Sequence, residues 1–169
     1  MMPMEVDSRR WAAGLSQAFA GPGQPQAAFQ AFDRLCAETF GHRLFTILAW
    51  EGGADELERV YSSRPVEYPV SARKRMGPTP WGELVLRQGR PWLGTGAQDI
   101  RWAFPDHELI ASLGCAACLN APVHWNGTVL GAINILDAEG VYTPPDLEAL
   151  EAMSGFLVGP LLSARQPRP

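Results

Sequence analysis

The chain has 169 residues, 46% of them hydrophobic, enough for one domain to bury a core, since folding at this size removes roughly 70% of the unfolded surface from water. Its net charge of −4 comes from scattered acids and bases, and the one short basic run, Arg73-Lys74-Arg75, is too small to line a nucleic-acid groove. No apolar run approaches a membrane span, and three cysteines without a disulfide framework (Cys36, Cys115, Cys118) point to a reducing cytoplasm.

Ser8-Arg9-Arg10-Trp11 with Ala18-Phe19-Ala20 imitates a twin-arginine leader, but the intervening AAGLSQ is barely apolar. Trp11, Leu15 and Phe19 share one helical face, so Asp7 to Ala20 is predicted as a helix ended by Gly21-Pro22-Gly23. A second helix is expected from Pro25 to Phe40, with Phe29, Phe32, Cys36 and Phe40 on its apolar stripe and Gly41 as C-cap. Cys36 reads there as a small core residue. Two strands follow, Arg43 to Trp50 and Leu57 to Ser63, joined through Glu51-Gly52-Gly53.

Arg64 to Pro80 is a long Pro- and Gly-rich loop, a length that usually signals function or mobility. Thr79-Pro80 caps a short helix, WGELVLRQG, and Pro91 to Thr95 is a brief strand. A second loop runs from Gly94 to Phe104, and a helix is expected from about Pro105 to Leu113 with Asp106 and Glu108 in its first turn.

From Cys115 onward the pattern is sharper. Two apolar runs flank Asn126-Gly127, residues that accept the positive φ of a two-residue hairpin turn. Gly131 inside the second run marks a bulge or a close approach. Thr143-Pro144-Pro145-Asp146 is a helix start, with Thr as N-cap, Pro at the first position and an acid facing the dipole. The expected fold is α+β: an antiparallel sheet of five or six strands, terminal helices on one face, loops and short helices roofing the other. Residues 1–24 form an N-terminal helix and linker, 25–165 the domain and 166–169 a tail.

The stretch LNAPVHWNGTVLGAINILDAEGVYTPPDLEAL resembles the GAF domain family, in its closing strand pair, Leu-Gly step and aromatic-Thr-x-x-Asp helix start. The likeness covers roughly Pro25 to Leu162 and looks like a stand-alone member. It implies a sensory or regulatory domain without catalysis of its own. Such domains bind small organic molecules between sheet and roof, and many form homodimers through the terminal helices, here Asp7 to Ala20 and Thr143 to Leu162. Phytochrome-type relatives hold a bilin on a Cys-His pair, but Arg64 to Leu113 contains no cysteine, and no haem attachment motif is present. Cyclic-nucleotide binders carry Asn-Lys, whereas Asn134 precedes Ile135. Free methionine-(R)-sulfoxide reductases share the count of three cysteines, yet Asn134 and Leu136 stand where their strand carries acids.

Cys115-Ala-Ala-Cys118 would be the thiol pair of such a reductase, the alternative reading. Redox pairs start a helix that lowers the thiol pKa, and this one enters a strand. A strand begun at Cys115 points the two thiols to opposite faces, whereas a Cys115 still in the loop could turn back toward Cys118; two small buried residues are the favoured reading. His107 and His124 complete a zinc-like ligand set, but a strand splays four ligands rather than converging them, so no metal site is expected. Tyr68, Trp81, Trp92, Trp102 and Phe104 lie in or beside the middle loops, where rings either line a pocket or supply the core a loop-rich roof needs. Tyr68, Trp81 and Phe104 are the pocket candidates, and Trp92 reads as packing.

Asn120 and Asn134 interrupt apolar strands, and a buried amide must find partners in protein or ligand. The two-residue turn sets Asn120 opposite Ile133 and Leu119 opposite Asn134, so the amides face opposite sides and one at most enters the pocket; a bulge at Gly131 would swap the answer. Asp106 and His107 open a helix near the roof, Asp106 reading first as a cap. Lys74 or Arg75 would supply a counter-charge to an anionic ligand.

Overall fold

A computed structural model describes residues 4–165; the expected tail at 166–169 lies outside them. Helices α1 (Met4–Ala20) and α2 (Gln26–Thr39) lead into strands β1 (Leu44–Glu51) and β2 (Glu56–Ser62). A two-residue strand β3 (Lys74–Arg75), a π-helical turn (Gly82–Arg87) and β4 (Trp92–Gly94) come next, then the short helices α3 (Ala97–Ala103) and α4 (His107–Ser112). The hairpin β5 (Ala117–Trp125) and β6 (Thr128–Asp137) precedes α5 (Pro144–Met153), a 3₁₀ turn (Ser154–Leu157) and α6 (Val158–Ala164).

The six strands form one antiparallel sheet in the order β3-β2-β1-β6-β5-β4, so β6 and β1 are central, in keeping with their nearly unbroken apolar sequences. Behind it, α1, α2, α5 and α6 bury Leu15, Phe29, Phe32, Cys36, Leu150, Leu157 and Leu161 against Phe45, Ile47, Leu119, Ile133 and Ile135. The front face carries two smaller clusters. One joins Leu44, Tyr68, Ile100, Ile110, Cys115, Cys118 and Leu136; the other joins Leu48, Trp50, Trp81, Val85, Leu86, Ala103 and Ala132. Trp92 and Phe104 pack against both.

Asn126 and Gly127 have φ of 51° and 75°, the paired positive values that the turn predicted. At Gly131 the reason for glycine is close approach: a Cβ there would lie 2.0 Å from the backbone oxygen of Leu48 on β1. Thr143 and Asp146 exchange the expected capping contacts, with the Thr143 N–H donating to Asp146 Oδ2 at 2.8 Å.

Cys115 lies in the loop before β5. The structure differs from expectation in two stretches, the loop before Phe104 and the C-terminal helix. The loop from Gly94 to Phe104 contains α3, whose start Asp99 fixes by accepting from the Thr95 N–H and hydroxyl. The single C-terminal helix is broken at Ser154–Leu157, because Pro160 lacks an N–H and its ring crowds the carbonyl four residues back. That C-terminal run, Pro144–Ala164, also reaches the length and mean hydropathy (1.2) of a membrane span, against the reading that no run does. Its Leu150, Met153, Leu157 and Leu161 are buried in the core behind the sheet.

Candidate functional site

The front face of the sheet carries a polar row at its centre. Register pairs Ser62 with Thr46, Thr46 with Asn134, and Asn134 with Asn120, so four polar side chains run across β2, β1, β6 and β5. All four are buried, Asn120 completely. The bonds among three of them point one way: Asn120 Nδ2 donates to Asn134 Oδ1 at 2.5 Å, and Asn134 Nδ2 donates to Thr46 Oγ1 at 3.1 Å. At the other end Asn120 Oδ1 accepts from the Trp81 indole N–H and the Cys118 thiol, both at 3.2 Å.

This corrects the expectation that the two asparagines face opposite sides. Val123 pairs with Gly131 but His124 pairs with Val129, so Leu130 is an extra residue, and the slip sets Asn120 opposite Asn134 rather than Ile133. A second bulge, in β2, has the same effect. Ile47 pairs with Tyr61 and Leu48 with Arg59, leaving Val60 over. Tyr61 then points back to Asp33 of α2, its hydroxyl donating at 2.6 Å, and Arg59 two residues earlier points forward to Tyr68.

The roof comes down onto this floor through Trp81, which is buried and packs its ring 5.4 Å from that of Phe104. The space expected between sheet and loops is therefore occupied at the row's end by an indole of the chain itself. Gly82 next to it is closely covered: a Cβ there would lie 2.2 Å from Met76 Sδ, and the Met76 side chain would have to move to admit it. Trp92 stacks on Trp102 at 5.2 Å, the packing role read for it.

Tyr68, also buried, donates its hydroxyl to Asp106 Oδ2 at 2.6 Å, and burial raises its pKa so that it stays a donor. The guanidinium of Arg59 lies over the Tyr68 ring, 3.9 Å from its centre. His107 opens α4 half-buried and, among the described residues, takes no hydrogen-bond partner; nothing ties it to the row. Lys74 and Arg75 are exposed on the edge strand β3, paired with Leu57 and Glu56, and not in the roof. Thr46, Ser62 and Arg59 were missed from sequence. A threonine in LFTILAW carries little signal alone, and Arg59 changes face only because of the Val60 bulge.

The thiols are buried. Burial, with the Asp137 charge adding to it, pushes the Cys115 thiol up to about 11, and burial raises Cys118 and Cys36 well above the ordinary range. A thiol held protonated is a poor nucleophile, and Cys118 spends its proton on Asn120. A cleft of about 530 Å³ opens elsewhere, lined by Asp55, Gly77, Pro78, Thr79, Pro80, Glu83 and Arg87, with Arg87 paired to Asp55 and to Glu83. Its wall from Gly77 to Pro80 is the end of the long loop noted in the sequence, but none of the candidate ligand-binding residues lines it.

An antiparallel sheet with helices behind, a loop roof in front and a buried polar row between them defines an α+β domain. The chain belongs to the GAF domain family, whose model matches residues 24–158. Among solved structures it is similar to the GAF domain of a phosphoenolpyruvate-protein phosphotransferase from Acinetobacter (TM-score 0.74, 13% identity, 100% of each chain covered). The corresponding domain from Coxiella burnetii is also similar (TM-score 0.70, 16% identity, 92% of each chain covered). So is free methionine-R-sulfoxide reductase from Neisseria meningitidis, solved in complex with its substrate (TM-score 0.67, 16% identity, covering 92% of this chain and 88% of that one). At such identities the likeness is one of fold. No curated protein matches the sequence.

Proposed function

We propose that the chain is a sensory or regulatory GAF domain of the cytoplasm that binds a small organic molecule between the polar row and the roof, without catalysing a reaction. In this reading it works as a homodimer through the terminal helices. The observation that carries it is the buried, hydrogen-bonded row Thr46–Asn134–Asn120, closed at one end by Trp81. A core needs no such row, since buried amides are stabilising only while every partner is present. The row ends on an acceptor, Asn120 Oδ1, held by an indole at the start of the π-helical turn of the roof rather than by the sheet. A ligand enters by replacing that indole and offering its own N–H or O–H to Asn120.

The reductase reading is not favoured: its thiols are buried and held protonated. The test is a thermal-shift and intrinsic-fluorescence screen with nucleotides, amino acids and aromatic metabolites. A binder is expected to raise the melting temperature, change tryptophan emission and lose both effects in Asn120→Leu. If no compound does so, or if the variant binds equally well, the reading is wrong.

A further inference from the structure

Arg59 is unfinished as an ion pair. Its side chain is 15% exposed, yet the nearest carboxylate oxygen, Asp106 Oδ2, is 4.0 Å from Nη2, too long for a hydrogen bond. Nη1 is engaged, donating to the Pro69 carbonyl at 2.8 Å. Among the described residues, Arg59 Nε is the buried side-chain polar atom left without a hydrogen-bond partner. So the guanidinium is fixed from one side, by Pro69 and by the Tyr68 ring beneath it, and the edge formed by Nε and Nη2 is unused. Two parallel N–H groups on one edge of a guanidinium match the two oxygens of a carboxylate. A buried charged donor left unpaired is costly, and a native structure retains one for a reason.

Asp106 completes the chemistry. Tyr68 donates to its Oδ2, and among the described residues Oδ1 takes no hydrogen bond. The pair carries one positive and one negative charge, so a simple anion on the Arg59 edge would meet the Asp106 carboxylate a few ångströms away. A molecule bearing an ammonium group next to its carboxylate satisfies both. The loop that carries Tyr68 is itself strapped to β2, with the Arg59 N–H donating to Ser71 Oγ at 3.1 Å and the Ser71 N–H to the Arg59 carbonyl at 3.2 Å, so the three side chains are held as a unit.

We infer that Arg59 and Asp106 bind the head group of a free α-amino acid, its carboxylate on the Nε–Nη2 edge of Arg59 and its ammonium on Asp106. The assignment rests on the ligand-binding reading above and names the class of ligand it takes. The experiment is titration calorimetry on the full chain with individual amino acids. Each one that binds is then compared with its deaminated acid and its decarboxylated amine. Wild type should prefer the amino acid to either truncated form by about tenfold or more, the worth of one charge-assisted bond. Arg59→Lys, which keeps the charge and removes the two-pronged edge, should weaken the amino acid by a similar factor, with folding checked by its melting curve. Asp106→Asn should bring the amino acid and the deaminated acid to within a few-fold of each other, and this ratio decides even where Arg59→Lys folds poorly. Equal binding of the amino acid and its deaminated acid by wild type overturns the inference, as does binding indifferent to both substitutions. A ligand of another class, lost in Asn120→Leu but untouched by Arg59→Lys and Asp106→Asn, overturns it while leaving the binding role intact. A chain that binds nothing in either assay overturns both.

Discussion

Replacing Asn134 with alanine probes the polar row at its middle. The amide makes both internal bonds, accepting from Asn120 at 2.5 Å and donating to Thr46 at 3.1 Å. Its removal leaves the Asn120 NH₂ without an acceptor in a fully buried position. A stranded buried donor costs about 1–3 kcal/mol, and the Thr46 hydroxyl adds a smaller amount because it can rotate to another acceptor. Together with the vacated volume the loss comes to about 2–4 kcal/mol, or roughly 5–15 °C in melting temperature for a domain of this size. The assay is urea denaturation, with an unchanged slope showing that the same cooperative unit unfolds. Asn120→Ala and the double variant close the cycle. Residues bonded to one another should couple, the pair together costing about 1–2 kcal/mol less than the sum of the singles. An Asn134→Ala loss under about 0.5 kcal/mol, or strict additivity, would show that the amides do not depend on each other and that the row is a coincidence of register.

A disulfide reagent at neutral pH should find none of the three thiols within minutes in the native chain and all three in denaturant: at pH 7 a thiol raised to about 11 is ionised in only about one molecule in ten thousand. Rapid labelling of Cys118 would revive the reductase. The same burial sets an alkaline limit. The folded-state values of Cys36, Cys115 and Cys118 lie above those of the unfolded chain, so the stability they contribute is complete below about pH 8.5 and drains away as pH rises towards about 11 for Cys115. The urea midpoint should hold level from pH 7 to about 8.5 and then fall; a midpoint that rises there would contradict the burial. Gly131→Ala should be among the most damaging changes, about 3 kcal/mol or more, because its methyl meets a backbone oxygen rather than a yielding side chain. Expression with a near-normal melting curve would mean that β1 and β6 separate easily.

What was legible from sequence was whatever rests on local chemistry. Asn126-Gly127 specifies its turn through φ, Thr143 and Asp146 specify a helix start through hydrogen bonds three residues apart, and Phe29, Phe32 and Cys36 lie on one stripe whatever they pack against. The helix α3 was lost because seven residues with only Ile100 and Ala103 buried carry too little periodicity to stand out from a loop. Trp81 was named for the roof on composition alone. Its hydrogen bond to Asn120 joins residues 39 apart, a pairing that no local pattern encodes.

The candidate site depends on two single-residue slips. Without the extra Leu130, Asn120 and Asn134 would lie on opposite faces and the row would break between β5 and β6. Without the extra Val60, Arg59 and Tyr61 would share a face, and one of them would be misplaced: either the arginine in the helix-side core or the tyrosine away from Asp33. Both slips put polar groups on the roofed side while leaving the apolar side continuous from Phe45 through Ile135 to Leu119. A sheet built only to cover helices gains nothing from a bulge whose product is a buried amide or a half-paired arginine. The bulges therefore mark the roofed face as the side on which this sheet gathers its buried polar groups.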